Sequence, residues 1–561
     1  MTYNDDIDKI FIEPPDNGGI TDEDSGDEDG GGLIDNLPGS QLRAPAKVRL
    51  VNSSTPEDNL LYSTAHASTS SGKSKLTEKI EWIIGDFDKN FNHREFPAPN
   101  FDHYHNFSPV ELFEMFFGDD VYELLQTEIN NYALFTNCTN PQLSQHETKC
   151  AIAILILSGY NVLPGKRNYW DSKPDMRNEL VVNSMRRDRF LQVCKFLHCA
   201  DNSKPNPADK IWKMRPLMDL IKKKCLQYFV PEEKLRYDES MIKYFGRHSC
   251  KQFIRGKPIR FGYKMWCLNT PSGYLVNFEL YQGNNLRRSA EYEKSFGKAS
   301  APMVQMLDEI TKLKTLLPFH LHFDNLFASI KLLTHLKENG YQGTGTIREN
   351  RIPRDCPLPS KKIMEKKARS TFASIIDRTH GILFVRWVDN GVVTVASTLN
   401  GVEPTSGVRR YSQAEKKTII VPRPNAIGTY NAFMGGVDLM DENIGRYRVG
   451  MRGKKWWWGI FTWLLDVCIQ NAWQIHKKCG GTMTQLEFRR EIVTIYLQRY
   501  ESPPKSPGKV PSSTANTYGR VPDDLRYDRI DHFVAQTQDN KRRRCAGQNC
   551  KTVGRTMCTK C

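Results

Sequence analysis

The hydrophobic pattern changes period at Lys234, and the strand-like run beyond that residue restricts the fold more than any other feature of the chain. Upstream, from Ser108, apolar residues recur at helical spacing. Downstream, Leu235 to Lys243, Arg260 to Leu268 and Tyr274 to Tyr281 are rich in aromatic and branched residues, with Pro271-Ser272-Gly273 as a turn between the last two. A helical stretch (Ala301 to Leu313), an apolar strand (Phe319 to Phe323), a helix (Leu326 to Glu338) stopping at Gly340, and a strand (Tyr341 to Ile347) complete the run.

A three-stranded meander followed by helix–strand–helix–strand is the order expected of a ribonuclease H-like core, an α/β fold built on a mixed sheet. Three aspartates punctuate the chain. Asp238, Asp324 and Asp438 each sit where an apolar stretch ends. A carboxylate there is costly to desolvate unless a cation pairs with it, and Asp is disfavoured inside a strand, where Asp238 falls. Asp324 has a plainer reading as the N-cap of the helix that follows. Asp438 and Asp441, three apart, share one helix face, and Gly435 and Gly436 just ahead allow close backbone approach. The aspartates lie far apart in sequence, so only folding can bring them together. If they converge, the chemistry is that of two hard divalent ions clamping a phosphodiester, with Mg2+ preferred and Mn2+ substituting. No P-loop occurs, so ATP dependence is not expected.

Charge points to the substrate class. The chain has net charge +15, yet Met1 to Asn36 hold twelve Asp/Glu and one Lys, a net of −11, which leaves +26 on the remainder. A body that basic is drawn to polyanions through phosphate neutralisation and counterion release. Arg255, Lys257, Arg260 and Lys264 surround Phe261 and Tyr263, a pairing of cations and aromatics that suits DNA; a solvated basic turn is the alternative. Trp456-Trp457-Trp458 cannot share one helix face, so packing between domains is expected of at least one. Lys541-Arg-Arg-Arg544 is a candidate nuclear localisation signal or phosphate contact, placing the protein in the nucleus. Cys545, Cys550, Cys558 and Cys561 form a candidate Zn2+ ligand set. No apolar run is long enough for a transmembrane helix, no signal peptide is expected, and the scattered cysteines suit a reducing compartment.

The organisation expected is a disordered acidic tail (1–80), helical segments flanking the core (81–232 and 448–500), the core in two parts (233–350 and 422–447) around a β-rich insertion (351–421), a linker (501–540) and a short cysteine-rich segment (541–561). Ser108-Pro-Val-Glu111 signals a helix start by capping box. Helices are expected over Glu147 to Ser158, Val181 to His198, Ile211 to Phe229, Asn431 to Tyr447 and Trp456 to Lys478. In the insertion, Phe384 to Val388 and Val392 to Ala396 read as a hairpin through Asp389-Asn390-Gly391.

These strings together resemble the piggyBac transposase family. The resemblance spans roughly residues 85 to 500 and is carried by Ser158-Gly-Tyr-Asn-Val-Leu-Pro164, Arg187-Asp-Arg-Phe190, Arg236-Tyr-Asp238-Glu-Ser-Met241, Arg255-Gly-Lys257-Pro258, Phe323-Asp324-Asn325 and Gly435-Gly-Val-Asp438-Leu-Met-Asp441. It implies a catalytic triad of Asp238, Asp324 and Asp438, with Asp441 as an auxiliary acidic ligand. It also implies a helical DNA-binding and dimerisation domain, and a homodimer acting on the terminal inverted repeats of double-stranded DNA. The chemistry implied is nicking, hairpin formation and strand transfer at TTAA sites, with Mg2+. The family's cysteine-rich domain is usually a longer cross-brace holding two zinc ions, whereas these four thiols suffice for one. Two rival readings stand beside this one: a domesticated, non-catalytic DNA-binding chromatin protein, and a metal-dependent nuclease acting on RNA–DNA hybrids.

Overall fold

The computed structural model describes residues 80–87 and 95–501, apart from 139–140, 256, 284–286, 315 and 414. It also describes the strands Ile7–Ile12 and Ala46–Leu50 and residues 529–530, 532–537, 541–544 and 553–559. Ile7–Ile12 and Ala46–Leu50 pair antiparallel within the segment expected to be disordered; the rest of that head lies outside the described residues. Two compact units divide the chain, residues 1–503 and 504–561.

The first unit is organised around one ten-stranded sheet. Its strands are β1 (Trp82–Ile84), β2 (Lys234–Lys243), β3 (Lys251–Phe253), β4 (Phe261–Asn269), β5 (Leu275–Leu280), β6 (His320–Phe323), β7 (Gln342–Thr346), β8 (Phe372–Asp377), β9 (Ile382–Val388) and β10 (Val392–Ser397). Strand order is β1-β8-β9-β10-β7-β6-β2-β4-β3, with β5 also on β4. The meander β2-β4-β5 is antiparallel, whereas β6 runs parallel to β2 and β7 parallel to β6. This is the mixed sheet expected from the element order. Covering it on both faces buries β2 and β4 almost end to end; β4 is apolar along most of its length, whereas β2 carries Arg236, Asp238 and Glu239 within its buried stretch.

The expected insertion, 351–421, is rich in strands. Strands β8, β9 and β10 extend the same sheet, with Val395 opposite Thr346 and Val388 opposite Val392 across the expected hairpin. An unpaired β7 would expose a row of backbone donors and acceptors, and β10 covers it. A two-stranded ribbon, Ser406–Ser412 with Lys417–Arg423, follows.

Helices α1 (Pro109–Phe116), α2 (Asp119–Phe135), α3 (Gln145–Leu157), α4 (Glu179–Ser184), α5 (Arg187–Phe196) and α6 (Arg215–Gln227) precede the sheet. The capping box at Ser108 is closed in both directions, and Ser144–Glu147 ahead of α3 makes another. The single helix expected over Val181 to His198 is broken at Met185 and Arg186, which are extended. Helices α7 (Ala290–Leu313) and α8 (Ile330–Glu338) join the core strands. Helices α9 (Asn425–Phe433), α10 (Gly436–Arg446), α11 (Trp458–Lys478) and α12 (Gln485–Arg499) complete the unit.

Helix α11 is buried along nearly its whole length. All three tryptophans ahead of it are buried, each in a different setting: Trp456 stacks on His248, Trp457 lies edge-on to His198, and Trp458 stacks on Phe461. Trp456 joins the helical segment to the strands, its carbonyl accepting the Tyr263 hydroxyl, while Trp457 and Trp458 pack among the helices. Gly159 sits where a Cβ would lie 2.2 Å from the carbonyl oxygen of Tyr447, so the Ser158-Gly159 motif marks a backbone crossing between the two helical segments. Among the described residues no helix is long and apolar enough to cross a membrane.

Candidate active site

Parallel pairing of β2 with β6 sets Tyr237 opposite Phe323. Asp238, midway along β2, and Asp324, the residue after β6, are therefore level with each other on neighbouring strands. Asp324 leaves its strand in a turn. Its Oδ1 accepts the Leu326 N–H at 2.7 Å, and its carbonyl accepts from Phe327 and Ala328. The N-cap of α8 is Ser329, whose hydroxyl accepts the Leu332 N–H. Asp324 is thus a turn residue at the sheet end rather than a helix cap.

Helix α10 supplies the other two carboxylates. A Cβ at Gly436 would lie 2.4 Å from the carbonyl oxygen of Thr270, so glycine lets the helix start hard against the β4–β5 turn; Gly435 has open space around it. From there α10 crosses β2 and β4 with Val437 and Met440 buried beneath it. Asp441 Oδ1 accepts the Ser240 hydroxyl at 2.6 Å. Asp438, more exposed, lies 3.6 Å from Nη2 of Arg236. The same guanidinium nitrogen hydrogen-bonds Oδ2 of Asp238. Arg236 and Asp238 are two apart on a strand and so point to one face; one buried cation thereby ties β2 to α10.

Lys257, in the segment between β3 and β4, adds a second cation, its Nζ 3.6 Å from Oε1 of Glu239 and 3.4 Å from that residue's carbonyl oxygen. The charges explain the acidities. Burial works to raise Asp238, but Arg236 and Lys257 overcome it and hold its carboxyl below the usual range. Burial would lower the Lys257 ammonium, yet Glu239, Asp238, Asp438 and Asp441 together raise it. Glu239 is pushed up to about 7 by burial and then by Asp238. Asp441 is likewise pushed up to about 7, by burial first and by Asp438 and Asp238 next, against Ser240 and Lys257. Tyr430 of α9, 3.4 Å from Thr346 at the end of β7, is pushed up to about 12 by burial and feels Asp324 and Asp238.

The fold thus gathers all four sequence-predicted acidic residues around the end of β6, beside the middle of β2. Asp238 and Asp438 share Arg236, and Asp441 joins through Ser240. Asp324 is close enough for its charge to bear on Glu239 and Tyr430. Among the described residues, no three His, Cys, Asp or Glu side chains stand at ligand distance from a common point. Chemically the donor set fits Mg2+ or Mn2+, since every candidate ligand is a carboxylate oxygen. Arg236, Glu239 and Ser240 went unrecognised as site residues. The signal for Arg236 was its spacing: a cation two before the aspartate on the same strand.

The basic segment divides. Arg260 is exposed, and Arg255 and Lys257 are half-buried. Lys264 is buried, its ammonium 4.1 Å from the ring centre of Trp266 and 4.9 Å from that of Tyr281, which makes it part of the core.

In the second unit, Val534–Gln536 pairs with Thr556–Cys558 and Arg543–Arg544 with Val553–Gly554. Cys545, Cys550 and Cys561 lie outside the described residues. Cys558 Sγ is 3.3 Å from Nδ1 of His532, a neighbour that the cysteine spacing alone did not suggest.

A family model described as Transposase IS4 matches residues 108–473. The chain is 39% identical to PiggyBac transposable element-derived protein 3 of Homo sapiens, over 98% of this chain and 93% of the relative. It is 36% identical to PiggyBac transposable element-derived protein 2 of Homo sapiens, over 96% and 88% respectively. Among solved structures, the piggyBac transposase in a synaptic complex with hairpin DNA shares the fold, with TM-score 0.58 and 18% identity over 76% of this chain and 91% of that one. The model match covers more than half of the chain and both relatives are covered almost throughout, so the chain belongs to the IS4-type transposases, in their piggyBac branch.

Proposed function

We infer that the protein is a DNA transposase that nicks, forms hairpins and transfers strands at TTAA sites, with Asp238, Asp324 and Asp438 as its catalytic residues. The observation that carries this reading is the shared guanidinium: carboxylates from β2 and α10, far apart in sequence, meet at one buried cation beside the strand end that holds Asp324. Asp238, Asp324, Asp438 and Asp441 would hold Mg2+. Bound there, it supplies activation of the attacking oxygen and charge neutralisation at the leaving oxygen. The Ser240 hydroxyl holds Asp441 in place, and with it the register of α10 against β2. Lys257 steadies the excess negative charge until DNA arrives. A homodimer, the nucleus, and Zn2+ at the C-terminal cysteines belong to the same proposal.

One observation favours a second reading. Arg236 already neutralises Asp238 and Asp438, as it would in a DNA-binding protein of transposon descent that has no need of metal. The separating experiment incubates purified protein, Mg2+ and hairpin-prone DNA ending in TTAA, comparing wild type with Asp324→Asn. Nicking by wild type alone supports catalysis. Equal nicking by both denies the triad, absence of nicking with retained DNA binding favours the second reading, and cleavage confined to RNA–DNA hybrids would make the protein a nuclease.

A further inference from the structure

A slot opens beside β2 where β6 stops. The His320 N–H donates to the Glu233 carbonyl at 2.7 Å, so residues 233, 235, 237 and 239 turn their backbone groups towards β6. The ladder between the two strands ends with Tyr237 opposite Phe323. Glu239 thus lies beyond the end of β6, and side chains meet its backbone instead. Its N–H donates to Asp238 Oδ1 at 2.9 Å, and its carbonyl accepts from Lys257 Nζ at 3.4 Å. The Lys257 ammonium therefore takes the place that a longer β6 would fill. Along β2 that place lies between Asp238 and Ser240, the hydrogen-bond partner of Asp441.

Lys257 is held quite differently from Arg236. Both of its contacts with Glu239, 3.4 Å to the carbonyl and 3.6 Å to Oε1, are longer than an ordinary hydrogen bond. Its side chain is 24% exposed, against 5% for Arg236. The segment between β3 and β4 carries it, whereas Arg236 lies within a strand. A lysine is also a point charge on a flexible stem, while the guanidinium fork of an arginine is fixed in geometry. Beyond Glu239, the charges of Asp238, Asp438 and Asp441 all bear on Lys257. One loosely held cation thus answers three of the four carboxylates proposed to hold Mg2+.

We propose that Lys257 is a resident counter-ion of the carboxylate cluster, displaced when a divalent ion binds there. The inference rests on the metal-dependent function proposed above. A divalent ion approaching carboxylates that already face an ammonium meets like-charge repulsion. Lys257 therefore lowers the ion affinity of the site, while keeping the cluster partly neutralised when no ion is bound. Its displacement asks only that one side chain swing away from the edge of β2.

The test uses full-length wild type and Lys257→Met, without DNA. The first measurement is Mn2+ affinity by calorimetry at pH 8. A charge within about 4–6 Å changes the proton affinity of a carboxylate about 10- to 1,000-fold, so at the lower end the Mn2+ Kd of Lys257→Met falls about tenfold. The second measurement needs no variant: lysine acetylation of wild type, read by mass spectrometry, with exposed Lys312 as the reference. Labelling of Lys257 relative to Lys312 should rise severalfold when Mn2+ is added. A lysine that merely braced the segment ahead of β4 would give neither result. An Mn2+ Kd unchanged or raised in Lys257→Met, or Lys257 labelling that Mn2+ leaves unchanged or lowers, overturns the inference and leaves the proposed function standing. Absence of Mn2+ binding in both proteins overturns the two together.

Discussion

Arg236→Met asks whether one guanidinium holds the carboxylate cluster together. The Arg236 and Asp238 side chains are only 5% and 8% exposed, which puts their pair among the buried ones, not among the surface pairs worth about 0–1 kcal/mol. Truncating one partner of a buried pair costs about 3–5 kcal/mol, because the other charge stays behind without its counter-ion. The pair with Asp438 adds little to this, since Asp438 is 69% exposed.

The sign of the pH dependence follows from Asp238. Its folded-state pKa lies below the unfolded value, so in wild type it contributes stability above that unfolded value, lost as pH falls through the folded one. Without Arg236, burial and the neighbouring aspartates push Asp238 the other way. The variant then gains stability relative to wild type as pH falls from 7.5 towards 5. A divalent ion can replace the lost cation: at a hundred times its Kd, binding adds about 2.7 kcal/mol. The assay is the urea midpoint of full-length protein at pH 5 and 7.5, in EDTA and in Mg2+. We expect a deficit at pH 7.5 in EDTA that narrows both on acidification and on adding Mg2+. A midpoint equal to wild type, or a deficit indifferent to pH and Mg2+, would refute the counter-ion argument.

Glu239 and Asp441, both pushed up to about 7, contribute stability at low pH that disappears as pH rises through about 7. Ion binding needs Asp441 deprotonated, so Mn2+ affinity by calorimetry should rise about tenfold per pH unit below 7 and flatten above it; a flat profile from pH 5.5 to 8 would contradict this. Trp456→Ala removes a fully buried ring stacked on His248 and should cost about 3–5 kcal/mol in urea denaturation; a change under about 1 kcal/mol would deny it a role in joining helices to strands. Gly159→Ala drives a methyl into the Tyr447 carbonyl and should cost about 1–3 kcal/mol, read as a lower melting temperature; an unchanged melting temperature would show that the crossing can yield.

The core was legible because its signals were local and agreed with one another. Apolar runs at β2, β4 and β6, the turn at Pro271-Ser272-Gly273 and the Gly340 stop each reported on its own segment, and the strands formed within a residue or two of expectation. The partners of the β-rich insertion were not legible, because strand periodicity says nothing about pairing. Only the pairing of β10 with β7 reveals one continuous sheet. Lys264 of the basic cluster lies buried over Trp266, which was not legible because a lysine on a strand between aromatics has the same sequence signature whether its ammonium meets phosphate or a ring face. The alternative for Asp324 fell to Ser329, five residues on, where the helix in fact begins.

Charge balance within the site argues for an incoming cation independently of any resemblance. Five carboxyl groups (Asp238, Glu239, Asp324, Asp438 and Asp441) lie together, and the cations that bear on them include Arg236, Lys257 and Lys264. Two of the five, Glu239 and Asp441, hold their protons up to about pH 7, and burial is the largest reason for both. A site evolved only for packing would resolve such an excess by substituting apolar residues, since replacing buried charges with hydrophobic ones is often neutral or favourable. Here two of the acids lie within β2, one follows β6, and α10, which brings the other two, is admitted beside them by a glycine that no other residue can replace without meeting Thr270. In the function proposed above, divalent ions and a phosphodiester would answer an arrangement that concentrates negative charge and keeps a helix pressed against it.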